Sequence, residues 1–165
     1  MRKFLLLLLI CVLLSGCAAS EVFETLGPVL HQPENLPAMS TLQLTLPDTA
    51  IAETFGGSDK LYECDGYTLI LQNLPAGDFS GTVRTLSGFW PQELTVLESG
   101  TAEIRRFDWV WTAMGESGQL VCRAAVLDDG NYHYCLTAVA PAANAGELSE
   151  QWNALFASLR LEDKS

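Results

Sequence analysis

The chain is 165 residues long and carries a formal charge of −11, with 20 acidic against 9 basic residues. This balance argues against nucleic acid as a partner, because that binding is driven by Lys and Arg neutralising phosphate. The length suits a single domain, and 48% hydrophobic residues are enough to fill a substantial core.

The first residues are Met1-Arg2-Lys3, followed by an unbroken apolar run over 4–14. A basic start and about a dozen apolar residues make the pattern of an export signal, too short for a membrane-spanning helix of about 20. The run closes on Leu14-Ser15-Gly16-Cys17, whose small residues suit the narrow pocket of a peptidase. These four residues resemble the lipobox of bacterial lipoproteins. The resemblance implies a signal peptide over 1–16, cleavage between Gly16 and Cys17, and a diacylglyceryl group with palmitate-like chains on the Cys17 thiol. Each buried methylene contributes about 0.8 kcal/mol; one acyl chain holds only marginally, whereas two or three on one residue hold stably. The expected address is the extracytoplasmic face of the cell membrane, with the membrane as partner through the lipid. Loss of 1–16 removes Arg2 and Lys3 and leaves 20 acidic against 7 basic residues, a charge of −13.

Residues 17–40 read as the lipidated cysteine and a tether. Pro28, Pro33 and Pro37 fall there, and from Ala18 to Asp59 there are six acidic residues and no Lys or Arg. A stretch so poor in apolar residues extends rather than folding alone. One globular domain is expected over 41–161, and a tail over 162–165.

The domain begins with alternating Leu42, Leu44 and Leu46, a strand stopped by Pro47. The stretch 48–58 has no clear pattern. Strands over 61–64 and 67–74 flank Asp65-Gly66, a two-residue hairpin signal. Asp78 is placed to cap a short helix with Phe79, Val83 and Leu86 on one face and Gly88 at its C-terminal end. Strands are expected over 93–98, 104–113, 119–127 and 132–140, the last two joined by a turn at Asp128-Asp129-Gly130. Asn144 and Glu147 have capping-box spacing. Leu148, Trp152, Leu155, Phe156 and Leu159 form the apolar stripe of a closing helix.

Consecutive strands with segregated helices define an α+β class, an antiparallel sheet of about six strands with helices packed on it. Both faces of the strand over 132–140 carry apolar side chains, which calls for helices on both sides. This order resembles the Mog1/PsbP-like α/β/α sandwich. At finer scale, Trp109-Val110-Trp111-Thr112-Ala113 and Leu127-Asp128-Asp129-Gly130-Asn131-Tyr132-His133-Tyr134-Cys135 are similar to a group of lipoproteins of gut Firmicutes. That likeness implies an address and no chemistry.

Three cysteines remain in the mature chain, Cys64, Cys122 and Cys135, in a compartment where disulfides can persist. Cys122 and Cys135 fall on one face of the hairpin turning at Asp129-Gly130, placed diagonally. A Cys122–Cys135 bridge is therefore one option, a pairing through Cys64 another, and buried free thiols the third. His133 and Cys135 stand two apart on one strand, about 7 Å, too far for a thiolate–imidazole pair. Cys122, His133 and Cys135 together offer soft ligands on one face, but no paired Cys-x-x-Cys or His-x-x-x-His accompanies them. Phe107, Trp109 and Trp111 also share a face. They are either core beneath the helix carrying Trp152 and Phe156, or an exposed binding patch to which Trp90, a loop aromatic, would add.

No nucleophile elbow, phosphate loop or dinucleotide fingerprint occurs, so no catalytic, metal or cofactor site is expected. The expectation is a lipid-anchored, non-enzymatic domain that binds an envelope protein or a small ligand. The alternative is an envelope enzyme or metal-handling protein using the Cys122, His133 and Cys135 face.

Overall fold

Period-2 alternation runs through most of the chain after residue 60, and it builds one large sheet. The computed structural model describes residues 36–53 and 59–162. The leader, Cys17 with its expected lipid, the tether up to residue 35 and the residues 163–165 lie outside them. The strands are β1 (Thr41–Gln43), β2 (Ile51–Glu53), β3 (Lys60–Cys64), β4 (Tyr67–Pro75), β5 (Leu97–Gly100), β6 (Arg105–Gly115), β7 (Gly118–Asp128), β8 (Tyr132–Pro141) and β9 (Arg160–Glu162). Helix α1 spans Phe79–Ser87 between β4 and β5, and α2 spans Ala145–Ala157 between β8 and β9.

Seven strands form one sheet in the order β2-β3-β4-β8-β7-β6-β5, and β1 pairs with β9 in a separate ribbon. All pairings are antiparallel. The class is the expected α+β, with more strands than expected. The unpatterned stretch after Pro47 supplies the edge strand β2, and β1 leaves the sheet to pair with β9 at Glu162. Residues 36–40, read as tether from the sequence, lie along the domain: Tyr132 Oη donates to the Pro37 carbonyl, and the Ser40 amide donates to Tyr134 Oη.

Each face of the sheet buries its own cluster. On one face Tyr67, Leu69, Leu71, Ala125, Leu127, Tyr134, Leu136 and Ala138 pack against Leu148, Trp152, Leu155 and Phe156 of α2. On the other, Phe107, Trp109, Trp111, Cys122, Ala124, Val126 and Cys135 pack against Val83 of α1, with Phe79 and Leu86 at the margin. The two periods, 2.0 in the strands and 3.6 in the helices, are what make this sandwich possible.

Local signals explain the connections. Cys64 pairs with Tyr67 across Asp65-Gly66, and Gly66 takes φ 81° while Asp65 keeps a negative φ. Asp78 accepts from the Ser80 amide, and Gly88, at φ 80°, closes α1 by donating to the Arg84 carbonyl. The capping box of α2 does not form. Asn144 belongs to a short 3-10 turn, Ala142–Asn144, and takes helical dihedrals, so its side chain cannot cap. Its amide donates instead to the Gly66 carbonyl of the β3–β4 turn. The strand expected over 93–98 begins later, at Leu97, because Pro91–Glu93 forms a 3-10 turn closed by the Glu93 carboxylate on the Trp90 amide.

Candidate functional site

The face expected to carry Cys122, His133 and Cys135 is interior. All three are at most 3% exposed, and they lie between the sheet and α1. The β7–β8 pairing sets Asp128 opposite His133 and Val126 opposite Cys135, so the hairpin is centred one residue later than the expected Asp129-Gly130 turn. Cys122 then faces Val139, four residues along from Cys135. That separation is about 13 Å along the strand, beyond the reach of a disulfide. Cys64, Cys122 and Cys135 stand as free thiols, one of the three options the sequence left open. Nor do the three candidate ligands converge. Burial pushes the Cys135 thiol up to about 12, with the charge of Asp59 adding to it, and burial raises the Cys122 thiol as well. A thiol held protonated is a poor nucleophile and a poor ligand.

His133 is engaged elsewhere, in a row that the sequence did not disclose. Its Nδ1 lies 2.7 Å from Thr82 Oγ1 on α1, and its Nε2 lies 3.7 Å from Asp128 Oδ2. Asp128 also accepts from Arg105 and, through Oδ1, from the Gly130 amide. The row Arg105–Asp128–His133 runs straight across β6, β7 and β8, because these residues are direct ladder partners. Burial lowers the His133 pKa, the Asp128 charge opposes that, and Arg105 reinforces it. Thr82 is 6% exposed in the middle of a helix, so this histidine fastens α1 to the sheet. The signal that would have found the row is register. Read with the turn at Asp129-Gly130, His133 faces Val126; a turn centred one residue later sets it against Asp128.

Phe107, Trp109 and Trp111 are 5, 2 and 9% exposed. Of the two alternatives, core or exposed patch, they take the core, but not beneath α2. The pleat directs them to the opposite side, under α1, where Phe79 packs on Phe107 at 4.0 Å and edge-on to Trp109. Trp90 alone of the four lies at the surface, 45% exposed, with the Arg84 guanidinium 4.4 Å over its ring.

A concavity lies on the α2 face, at the end of the sheet away from the β3–β4 turn. It is a half-open groove of about 610 Å³, walled on one side by residues 36–42 and floored by Lys60, Leu71, Asn73 and Tyr132. The strap along it is held by the two hydrogen bonds to Tyr132 and Tyr134 and, farther on, by the Thr45 amide on Ser158 Oγ. The lining mixes apolar atoms from Leu36, Pro37 and Met39 with donors on Lys60 and Asn73. That combination of apolar wall and a few convergent polar groups suits the binding of a small molecule.

The architecture, a seven-stranded antiparallel sheet with one helix on each face, is the Mog1/PsbP-like α/β/α sandwich. Solved structures of several proteins share it. PsbP of the cyanobacterium Synechocystis sp. PCC 6803 matches with a TM-score of 0.54 at 10% identity, over 76% of this chain and 95% of that one. LpqN of Mycobacterium tuberculosis, involved in cell envelope biogenesis, matches at 0.51 and 12% identity, over 77% and 86%. The Saccharomyces cerevisiae Ran-binding protein Mog1p matches at 0.50 and 11% identity, over 74% and 90%. At such identities the likeness establishes the fold. No protein-family model matches the chain, and no curated protein matches its sequence.

Proposed function

We propose that this chain is an extracytoplasmic lipoprotein, held at the cell membrane through lipid on Cys17, whose folded domain is a non-enzymatic binding module. The reading divides the chain into a leader over 1–16, a lipidated cysteine and acidic tether, and the α/β/α domain. The observation that carries it is Leu14-Ser15-Gly16-Cys17 standing directly behind the apolar run. Among the described residues no helix is long and apolar enough to cross a membrane, so attachment rests on the segment before the domain. The binding role is supported by where the domain places its chemistry. The thiols of the Cys122, His133 and Cys135 face are sealed in the interior, whereas the groove along residues 36–42 opens to solvent. It accords with two structural neighbours, a Ran-binding protein and a protein of cell envelope biogenesis. The partner is an envelope protein or a small ligand.

Mass spectrometry of the mature N-terminus, beside a Cys17→Ser variant, tests the anchor. The expected product begins at an acylated Cys17, and the variant leaves the membrane fraction. An intact leader, an unmodified thiol, or a variant that sediments with membranes as well as the parent overturns the reading.

A further inference from the structure

The described residues include six basic side chains, and five of them are answered within the domain. Arg105 pairs with Asp128, and Arg106 and Arg123 with Asp108. Arg84 lies over Trp90, and Arg160 donates to the Ser158 carbonyl. Lys60 has no such partner among the described residues, and it lines the groove. Its sequence neighbour Asp59 lies on the other side of the strand and accepts from Gln72. Asn73 lines the groove too, and among the described residues its side-chain amide has no hydrogen-bond partner. Lys60 faces Leu71 across β3 and β4, so Lys60 and Asn73 are diagonal neighbours on one face, about 7 Å apart. Two donors at that spacing can grip the two oxygens of one carboxylate between them.

Beyond the donors the groove turns apolar. Leu71 is its floor, 7% exposed, and Met39, a flexible side chain suited to varied shapes, is 39% exposed beside it. The volume of about 610 Å³ lies in the range of small-molecule sites. In a chain of charge −11, an ammonium with no partner among the described residues is a place where an anion is attracted rather than repelled. We propose that the groove binds a monocarboxylate with an aliphatic body, its head between Lys60 and Asn73 and its chain over Leu71 against Met39. This rests on the binding role proposed above and names the ligand class for that site.

The experiment uses the full chain carrying Cys17→Ser, which leaves every groove residue in place, with octanoate, octanol and octylammonium as probes of one body and three heads. Calorimetry is expected to show octanoate binding at least about ten-fold more tightly than octanol, the equivalent of about 1.4 kcal/mol, and octylammonium weakest. Lys60→Met is expected to bring octanoate down to the level of octanol, and Lys60→Arg to keep the preference. Ala38→Trp, which fills the groove from its exposed strap, is expected to abolish binding of all three while thermal unfolding stays unchanged. The proposal is overturned if octanoate shows no preference over octanol, if Lys60→Met keeps the preference, or if no probe binds. None of these outcomes depends on acylation, so the groove and the anchor stand or fall separately.

Discussion

The two faces of the sheet are covered by helices of different construction. Helix α2, 13 residues long, buries Leu148, Trp152, Leu155 and Phe156. At roughly 1.5–3 kcal/mol for each fully buried large side chain, its attachment is dominated by apolar burial. Helix α1 has nine residues, and of these only Thr82 and Val83 are buried. It lies over an aromatic row and is fastened by a hydrogen bond between Thr82 and a titratable ring. One face is held by area, and the other by a smaller contact whose strength depends on protonation. Cover and fastening are thus separable quantities, and each face can be perturbed alone.

The harshest test strikes the α2 face. Phe156 is fully buried, and the Arg123 guanidinium stacks 4.2 Å over its ring. Phe156→Ala is expected to cost about 3–5 kcal/mol in urea unfolding. A smaller change on the other face is Thr82→Val, which keeps the shape and leaves His133 Nδ1 without a partner. Its expected cost is about 1–3 kcal/mol, with amide exchange in α1 accelerated more than in α2. Equal acceleration in both helices would mean that the two faces do not behave as separate attachments.

The third test is pH. Burial lowers the His133 pKa in the folded state, so the fold favours the neutral ring. The unfolded chain takes up the proton first as pH falls. Stability contributed by His133 is therefore fully present above the unfolded value, about 6.5, and is lost as pH drops below it toward the folded value. The slope for one proton cannot exceed about 1.4 kcal/mol per pH unit. Comparing thermal unfolding of the parent and His133→Gln between neutral and mildly acidic pH isolates the effect. The parent is expected to lose stability faster. Parallel curves would show that the ring does not set the strength of the α1 contact.

The same division separates what the sequence disclosed from what it did not. Both helices were legible, because Phe79-Val83-Leu86 and the Leu148–Leu159 stripe repeat at the helical period. So was the double-sided character of β8, because its odd and even residues are both apolar. Edge pairing was not legible: β2 is a three-residue strand with every residue exposed, and nothing in its composition demands a sheet. The Asp128–His133 row was missed because a one-residue displacement of the turn changes every facing pair across a hairpin. The groove was missed for a related reason. Residues 36–40 look like tether by composition, and the hydroxyls of Tyr132 and Tyr134, about a hundred residues away, hold them against the sheet.

The gentlest test asks whether the α1 face is truly closed, and it uses the four tryptophans of the chain. Trp109 and Trp111 lie under α1, and Trp152 on α2 is packed against the sheet, at 2, 9 and 6% exposure, while Trp90 is 45% exposed. A small aqueous quencher such as acrylamide should therefore reach one tryptophan in four. Trp90→Phe keeps an aromatic ring for Arg84 to stack on, an interaction worth about 0.5–1 kcal/mol at an exposed site, so stability should change by less than about 0.5 kcal/mol. The accessible fraction of the emission should nevertheless vanish in that variant. If strong quenching persists, solvent reaches the aromatic row beneath α1. That helix would then be a loose cover rather than a fixed wall, and Phe107, Trp109 and Trp111 would return as an accessible surface.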